Sequence, residues 1–115
     1  MNTVIYHNPR CSKSRQALSL LEEAGVQTQV VKYLETPPSA AELDALLTKL
    51  GLDPIDVMRT KDDLFKELGL QGKTMSREEG IRLLAEHPAL LERPIVVRGD
   101  KAVVARPPER VSEVL

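Results

Sequence analysis

Apolar and polar positions alternate along this chain in two distinct periods. Thr3-Val4-Ile5-Tyr6 is a short β-branched run that predicts a strand. Asn8-Pro9 is a turn signal, and Pro9 restricts Asn8 to extended backbone. Ala17, Leu18, Leu20, Leu21 and Ala24 then recur at helical spacing and predict a helix over about 12–24, with Gly25 just past its end. Residues 26–33 predict a second strand, and Glu35-Thr36-Pro37-Pro38 breaks the pattern. Ser39-Ala40-Ala41-Glu42 has the form of a capping box, followed by Leu43, Leu46, Leu47 and Leu50 on one helical face, with Gly51 as the stop. Asp53-Pro54 restarts a short helix, and residues 62–68 predict another that ends at Gly69. A second capping box, Ser76-Arg77-Glu78-Glu79, opens a helix through Ile81, Leu84 and Ala85 to His87-Pro88. Two strand-like runs close the pattern, 95–98 and 102–105, joined at Gly99-Asp100, a pair suited to a tight hairpin. Arg106-Pro107-Pro108-Glu109 leads into a last short helix.

The predicted order is β-α-β, a helical block, then β-β-α. The first unit implies a right-handed parallel crossover, and the closing hairpin supplies an antiparallel partner. A four-stranded mixed sheet flanked by helices satisfies both, with a helical insertion between strands two and three over about 39–91. This is an α/β fold of the thioredoxin or glutaredoxin type, and residues 1–115 are expected to form one such domain. No internal repeat, low-complexity tract or second domain is apparent in the sequence.

Composition narrows the function classes. The chain has 115 residues, 42% hydrophobic and 29% charged, which fits one soluble domain. Aromatics are 3% and Trp is absent, so the core must rest on Leu, Ile, Val and Ala, and stacking platforms for single-stranded nucleic acid are not expected. The net charge of −1 lacks the basic excess usual in nucleic-acid domains. No apolar run reaches membrane-span length, and residues 1–5 do not resemble a signal peptide, so a cytoplasmic protein is expected. With no exposed apolar stripe demanding a partner, a monomer is expected.

One residue carries intrinsic nucleophilicity. Cys11 is the single cysteine, so it has no internal disulfide partner, and any redox cycle must borrow a thiol from another molecule. It follows a strand and a turn and stands at a helix start, where unpaired N–H groups and partial positive charge favour a thiolate. Cysteines so placed have pKa values of roughly 3.5–7.5 instead of about 8.5. His7, Arg10, Lys13 and Arg15 add basic groups to the same segment, which also suits an incoming oxyanion. A buried, inert cysteine is the competing reading, but the flanking Arg10 and Ser12-Lys13 are polar. A disulfide oxidoreductase would need a second Cys at 8 or 14, where Asn8 and Ser14 stand. A cysteine-phosphatase loop would need Arg at 17, where Ala17 stands. His7 and His87 are far apart in sequence and form no metal-ligand pattern with Cys11, so no metal site is expected.

The segment His7-Asn8-Pro9-Arg10-Cys11-Ser12-Lys13-Ser14-Arg15 closely resembles the active-site segment of the glutaredoxin-linked arsenate reductases (the ArsC family), which are related to the Spx-type regulators. Three further segments resemble the family in the right order: Tyr33-Leu34-Glu35-Thr36-Pro37-Pro38, Glu92-Arg93-Pro94-Ile95-Val96-Val97 and Ala105-Arg106-Pro107-Pro108-Glu109. The resemblance implies that Cys11 is the nucleophile and that Arg59, Arg93 and Arg106 surround an oxyanion. It further implies that His7 favours the thiolate, and that Asn8, Ser14 and Arg15 support the thiolate and anion site. Guanidinium groups suit a tetrahedral dianion because each fork holds two oxygens and keeps its charge. Taken alone, Arg59 beside Thr60-Lys61 also fits a solvated helix end. The fold commonly carries a cis proline where Pro94 stands, and the sequence leaves both isomers open. Arg10, Ser12 and Lys13 depart from plasmid-type members, and the added charge fits either an anion or a protein or glutathione disulfide.

The implied reaction is reduction of arsenate to arsenite with glutathione as co-substrate, glutaredoxin as partner and no bound cofactor. Two alternatives stay open: a monothiol enzyme that removes glutathione from proteins, and a non-catalytic Spx-like regulator that binds RNA polymerase. The second usually employs Cys-x-x-Cys, which is missing here.

Overall fold

The computed structural model describes residues 2–92 and 94–115. The chain folds as two compact units, Met1–Thr36 with Arg93–Leu115, and Pro37–Glu92.

The first unit is built on a four-stranded sheet. Its strands are β1 (Thr3–Tyr6), β2 (Thr28–Val31), β3 (Ile95–Arg98) and β4 (Lys101–Val104), in the order β2-β1-β3-β4. β1 runs parallel to β2 in the register Thr3↔Thr28, and antiparallel to β3 in the register Tyr6↔Ile95. β3 and β4 form the expected hairpin, with Ile95↔Val104 and Arg98↔Lys101 paired. Gly99 takes φ 62°, a conformation that a two-residue hairpin turn accommodates with glycine. Helix α1 (Ser12–Glu23) makes the crossover from β1 to β2. Ile5, Val96 and Val103 from the sheet pack with Ala17 and Leu21 of α1 into one core cluster.

β2 is shorter than the residue pattern suggests. At its start Val26 donates to the Leu21 carbonyl at 3.1 Å, so it closes α1 instead of pairing in the sheet. At its end the Glu35 and Thr36 N–H groups both turn back to the Lys32 carbonyl at 2.9 Å. The expected last helix is a 3-10 helix over Pro108–Val114. Its buried residues, Pro108, Val111 and Val114, recur every three positions, which matches three residues per 3-10 turn and keeps one face on the core.

The second unit contains α2 (Ala40–Leu50), a 3-10 turn over Pro54–Val57, α3 (Asp63–Glu67), α4 (Arg77–Glu86) and a 3-10 turn over Pro88–Leu90. The Ser39 capping box forms in full, with Glu42 N–H to Ser39 Oγ at 3.2 Å and Ser39 N–H to Glu42 Oε1 at 3.4 Å. At Ser76 the hydroxyl accepts from Glu79 N–H, while the Glu79 carboxylate turns to that same hydroxyl. Arg77 clamps α4 to α2 through Asp44 Oδ1 at 2.9 Å and Thr48 Oγ1 at 3.3 Å. Gly80 is buried against the Pro54 ring, so close that an added Cβ would lie 2.4 Å from Pro54 Cβ.

Candidate functional site

The β1–α1 connection is a tightly hydrogen-bonded loop. His7 continues the β1–β2 ladder by one step, donating its N–H to the Val31 carbonyl at 2.8 Å. Asn8 then holds the turn twice: its carbonyl accepts from Cys11 N–H at 3.0 Å, and its Oδ1 accepts from Arg10 N–H at 3.0 Å. The second bond is the short Asx type of turn that asparagine favours. Cys11 is the N-cap of α1, with φ −91° and ψ 121°, and its carbonyl accepts from Arg15 N–H at 3.0 Å. Its side chain makes no capping bond, and the first turn of α1 carries no acidic residue. The cysteine is half-buried.

Behind the loop lies Ser14, which is fully buried. Its Oγ accepts from Asn8 N–H at 3.1 Å and stands 2.6 Å from His7 Nδ1. Arg15 reaches back across the loop and donates Nη1 to the Pro9 carbonyl at 2.8 Å. His7, Asn8, Cys11, Ser14 and Arg15 are therefore gathered in one segment. The pKa of His7 is pushed below its ordinary value of 6.5, first by burial and then by the positive charges of Lys32 and Arg15.

The three arginines are placed differently. Arg106 follows β4, is exposed, and joins Pro107 through a cis peptide bond. Tyr6, Ile95 and Val104 are aligned across β1, β3 and β4, so Arg106 leaves the sheet at the end from which the cysteine loop leaves β1. Arg93 lies outside the described residues, and with it the geometry of the Arg93–Pro94 bond. Arg59 belongs to the second unit, between the 3-10 turn and α3. It is not a solvated helix end: its N–H donates to the Leu90 carbonyl at 2.7 Å, and its Nε and Nη2 pair with Asp62 at 2.5 and 3.3 Å. Its side chain is 19% exposed.

The sequence reading missed Lys32. The parallel register pairs each β1 residue with the one 25 positions later, which brings Lys32 opposite His7. Lys32 lines a cavity of about 290 Å³ together with His7, Asn8, Pro9, Arg10, Leu34 and Glu35. Nothing in the composition or spacing of residues 26–33 marks Lys32; only the strand register does. Among the described residues no three His, Cys, Asp or Glu side chains cluster so as to hold a metal ion, and no helix is long and apolar enough to cross a membrane.

A four-stranded sheet in this order, with a cysteine capping the helix after its first strand, defines a thiol protein of thioredoxin-like fold. The chain belongs to the ArsC family, whose model matches residues 6–114. It is 56% identical over 112 residues to a protein of Neisseria meningitidis serogroup A named arsenate reductase, covering 96% of each chain. It is 49% identical over 116 residues to one so named from Haemophilus influenzae, covering 100% of both. The solved structure of an arsenate reductase from Vibrio cholerae is similar with a TM-score of 0.94 at 52% identity, covering 100% of this chain and 98% of that one.

Proposed function

We propose that this chain is a cytoplasmic arsenate reductase with Cys11 as its nucleophile. One observation carries the reading: the single cysteine caps the first helix of a thioredoxin-like sheet, in a loop ordered by Asn8 and Ser14 and free of acidic residues in the helix's first turn. The names of the relatives supply the substrate.

In this reading the Cys11 thiolate attacks arsenic and forms an S–As bond, and one arsenate oxygen leaves as water after taking up protons. Arg59, Arg93 and Arg106 hold the remaining oxygens and neutralise their charge. Glutathione thiolate then attacks Cys11 Sγ. The S–As bond breaks with its electron pair going to arsenic, so As(V) leaves as arsenite and Cys11 is left as a mixed disulfide with glutathione. Glutaredoxin takes up the glutathionyl group and returns the Cys11 thiol. The overall balance is arsenate plus two glutathione giving arsenite, glutathione disulfide and water. An external thiol is required because the chain has one cysteine.

The test is a coupled assay with arsenate, glutathione, glutaredoxin, glutathione reductase and NADPH. Arsenate-dependent loss of NADPH is expected, with Cys11→Ser inactive and Arg93→Ala slowed by roughly 10²–10³, the usual effect of removing one oxyanion donor. No arsenate-dependent turnover by the wild type, or full activity in Cys11→Ser, overturns the assignment.

A further inference from the structure

Asp62 stands where it could cap α3 and does not. It is the N-cap residue of that helix, with φ −78° and ψ 153°, and aspartate is among the strongest cap formers. Its carboxylate nevertheless makes no capping bond. Both oxygens turn back to Arg59 instead: Oδ2 accepts from Nε at 2.5 Å and Oδ1 from Nη2 at 3.3 Å. A backbone bond closes the same turn, Asp62 N–H to the Arg59 carbonyl at 3.1 Å. The carboxylate is thus held beside the guanidinium by the chain itself.

The root of Arg59 is fixed too. Met58 pairs with Leu91 in an antiparallel bridge, flanked by Arg59 N–H to the Leu90 carbonyl at 2.7 Å and Glu92 N–H to the Val57 carbonyl at 2.6 Å. Arg59 is therefore anchored by its backbone to one segment and by its guanidinium to another. An arginine side chain is long and flexible, and it loses that freedom on binding an anion unless the fold has already removed it. The Arg59 side chain is 19% exposed, so the pair is partly shielded and unlike the fully solvated pairs that contribute little. Asp62 engages one edge of the guanidinium, Nε with Nη2. With five N–H donors in a planar fork, an arginine can meet a second anion at the end formed by its two Nη atoms while the first stays in place.

We infer that Asp62 is a positioning residue for the oxyanion site: it holds Arg59 in the pose that receives arsenate and touches no substrate itself. The inference rests on the proposed oxyanion role of Arg59 and adds what sets the aim of that arginine. Two effects of the carboxylate oppose each other. Its negative charge lowers the potential at the site, so by charge alone its loss would tighten anion binding. Its hold on Arg59 acts the other way. Asp62 is 42% exposed, so water screens its field at a distance, whereas its bonds to Arg59 are direct. The hold therefore dominates, and removing it weakens arsenate binding.

Asp62→Asn is the variant that tests this, because asparagine caps a helix as well as aspartate but cannot accept at both of its side-chain ends. Its Tm should stay near that of the wild type. By NMR of the isotope-labelled protein, Arg59 Nε–H should exchange slowly with water in the wild type and quickly in Asp62→Asn. Arsenate titrated without glutathione, followed by calorimetry, should bind Asp62→Asn roughly ten-fold or more weakly. In the coupled assay the KM for arsenate should rise by a similar factor and the KM for glutathione should not change. Asp62→Glu keeps both oxygens and should lie nearer to the wild type. In an Arg59→Ala background Asp62→Asn should change neither quantity, because its effect passes through that arginine. Equal or tighter arsenate binding by Asp62→Asn, or an undiminished effect in the Arg59→Ala background, overturns the positioning role. If the wild type reduces arsenate and Asp62→Asn matches it, the positioning role alone falls. If arsenate binding weakens as expected and the wild type shows no arsenate turnover, the positioning role stands and the reductase assignment falls. If the wild type binds no arsenate, both fall.

Discussion

Replacing Ser14 by alanine tests whether the cysteine loop is held from behind. The Ser14 oxygen is fully buried and serves two groups, Asn8 N–H at 3.1 Å and His7 Nδ1 at 2.6 Å. Both owners are themselves buried, at 8% and 5% exposure, so water does not readily replace the lost oxygen. Each buried polar group left without a partner costs roughly 1–3 kcal/mol. His7 recovers part of this by exchanging tautomers, so the expected total is about 2–4 kcal/mol. For a domain of this size that lowers Tm by roughly 8–16 °C, at about 4 °C per kcal/mol. The assay is urea and thermal unfolding of wild type, Ser14→Ala and Ser14→Thr. Alanine should show the full loss. Threonine keeps the hydroxyl and should lose less, its extra methyl being the cost. A loss below about 0.5 kcal/mol for alanine, the level of an ordinary surface change, refutes the reasoning. Alkylation of Cys11 by iodoacetamide gives a second readout, because a loosened loop should change the pH at which the thiol becomes reactive.

The remaining predictions address His7 and the two cores. His7 has a folded-state pKa below its unfolded value of 6.5, so between those two values the unfolded chain binds more protons. Its contribution is therefore neutral above pH 6.5 and destabilising as the pH falls below it, with a slope of at most about 1.4 kcal/mol per pH unit. The wild-type minus His7→Asn stability difference, measured by urea unfolding from pH 8 downward, should be flat above that value and fall below it; a difference that rises on acidification refutes the lowered pKa. Gly80→Ala gains about 1 kcal/mol of helix propensity but forces a Cβ to 2.4 Å from Pro54 Cβ and 2.8 Å from Pro54 Cγ. Overpacking of this kind costs roughly 1–3 kcal/mol, so a net loss of up to about 2 kcal/mol is expected, and a stabilised variant by denaturant titration counts against that contact. Leu21→Ala empties the fully buried centre of the sheet–α1 core and should cost about 2–5 kcal/mol by the same measurement; a smaller loss would mean that the site collapses.

The sheet was legible because each strand carries its own local signal. Thr3–Tyr6 is β-branched, and Gly99-Asp100 joins the closing pair of strands at a glycine with positive φ, as the residue pattern expects. The ends of β2 were not legible, because Val26 is apolar whether it closes α1 or pairs in the sheet, and the hydrogen bond to Leu21 decides between these. The 3-10 form of Pro108–Val114 was hidden for a similar reason: buried positions three apart suit both helix types, and the distinction lies in backbone bonds such as Arg110 N–H to the Pro107 carbonyl. At the candidate site the local part was readable and the distant part was not. His7 to Arg15 is one segment, so its chemistry can be seen as a string of residue types. Lys32 enters only through the parallel register, and the Asp62 partner of Arg59 only through the fold of the second unit.

The placement of charge around Cys11 follows from the same division. A histidine close in sequence to a nucleophilic cysteine invites a thiolate–imidazolium pair, and family resemblance assigns His7 that kind of help. The structure makes a charged ring costly. His7 is buried, and Lys32 and Arg15 repel a further proton. With the ring's pKa lowered, the positive potential at the cysteine at neutral pH comes mainly from other groups. The N–H groups of the α1 start provide part of it, since no acidic side chain in the first turn offsets them. Arg10, Lys13 and Arg15 provide the rest from within five positions of Cys11 along the chain. His7 then acts on the cysteine through geometry: with Ser14 it fixes Asn8, and Asn8 fixes the Cys11 N–H. A thiol activated by fixed charges has no imidazolium partner to lose, so alkylation of Cys11 by iodoacetamide should follow a single titration step, and a second step contributed by His7 refutes this reading.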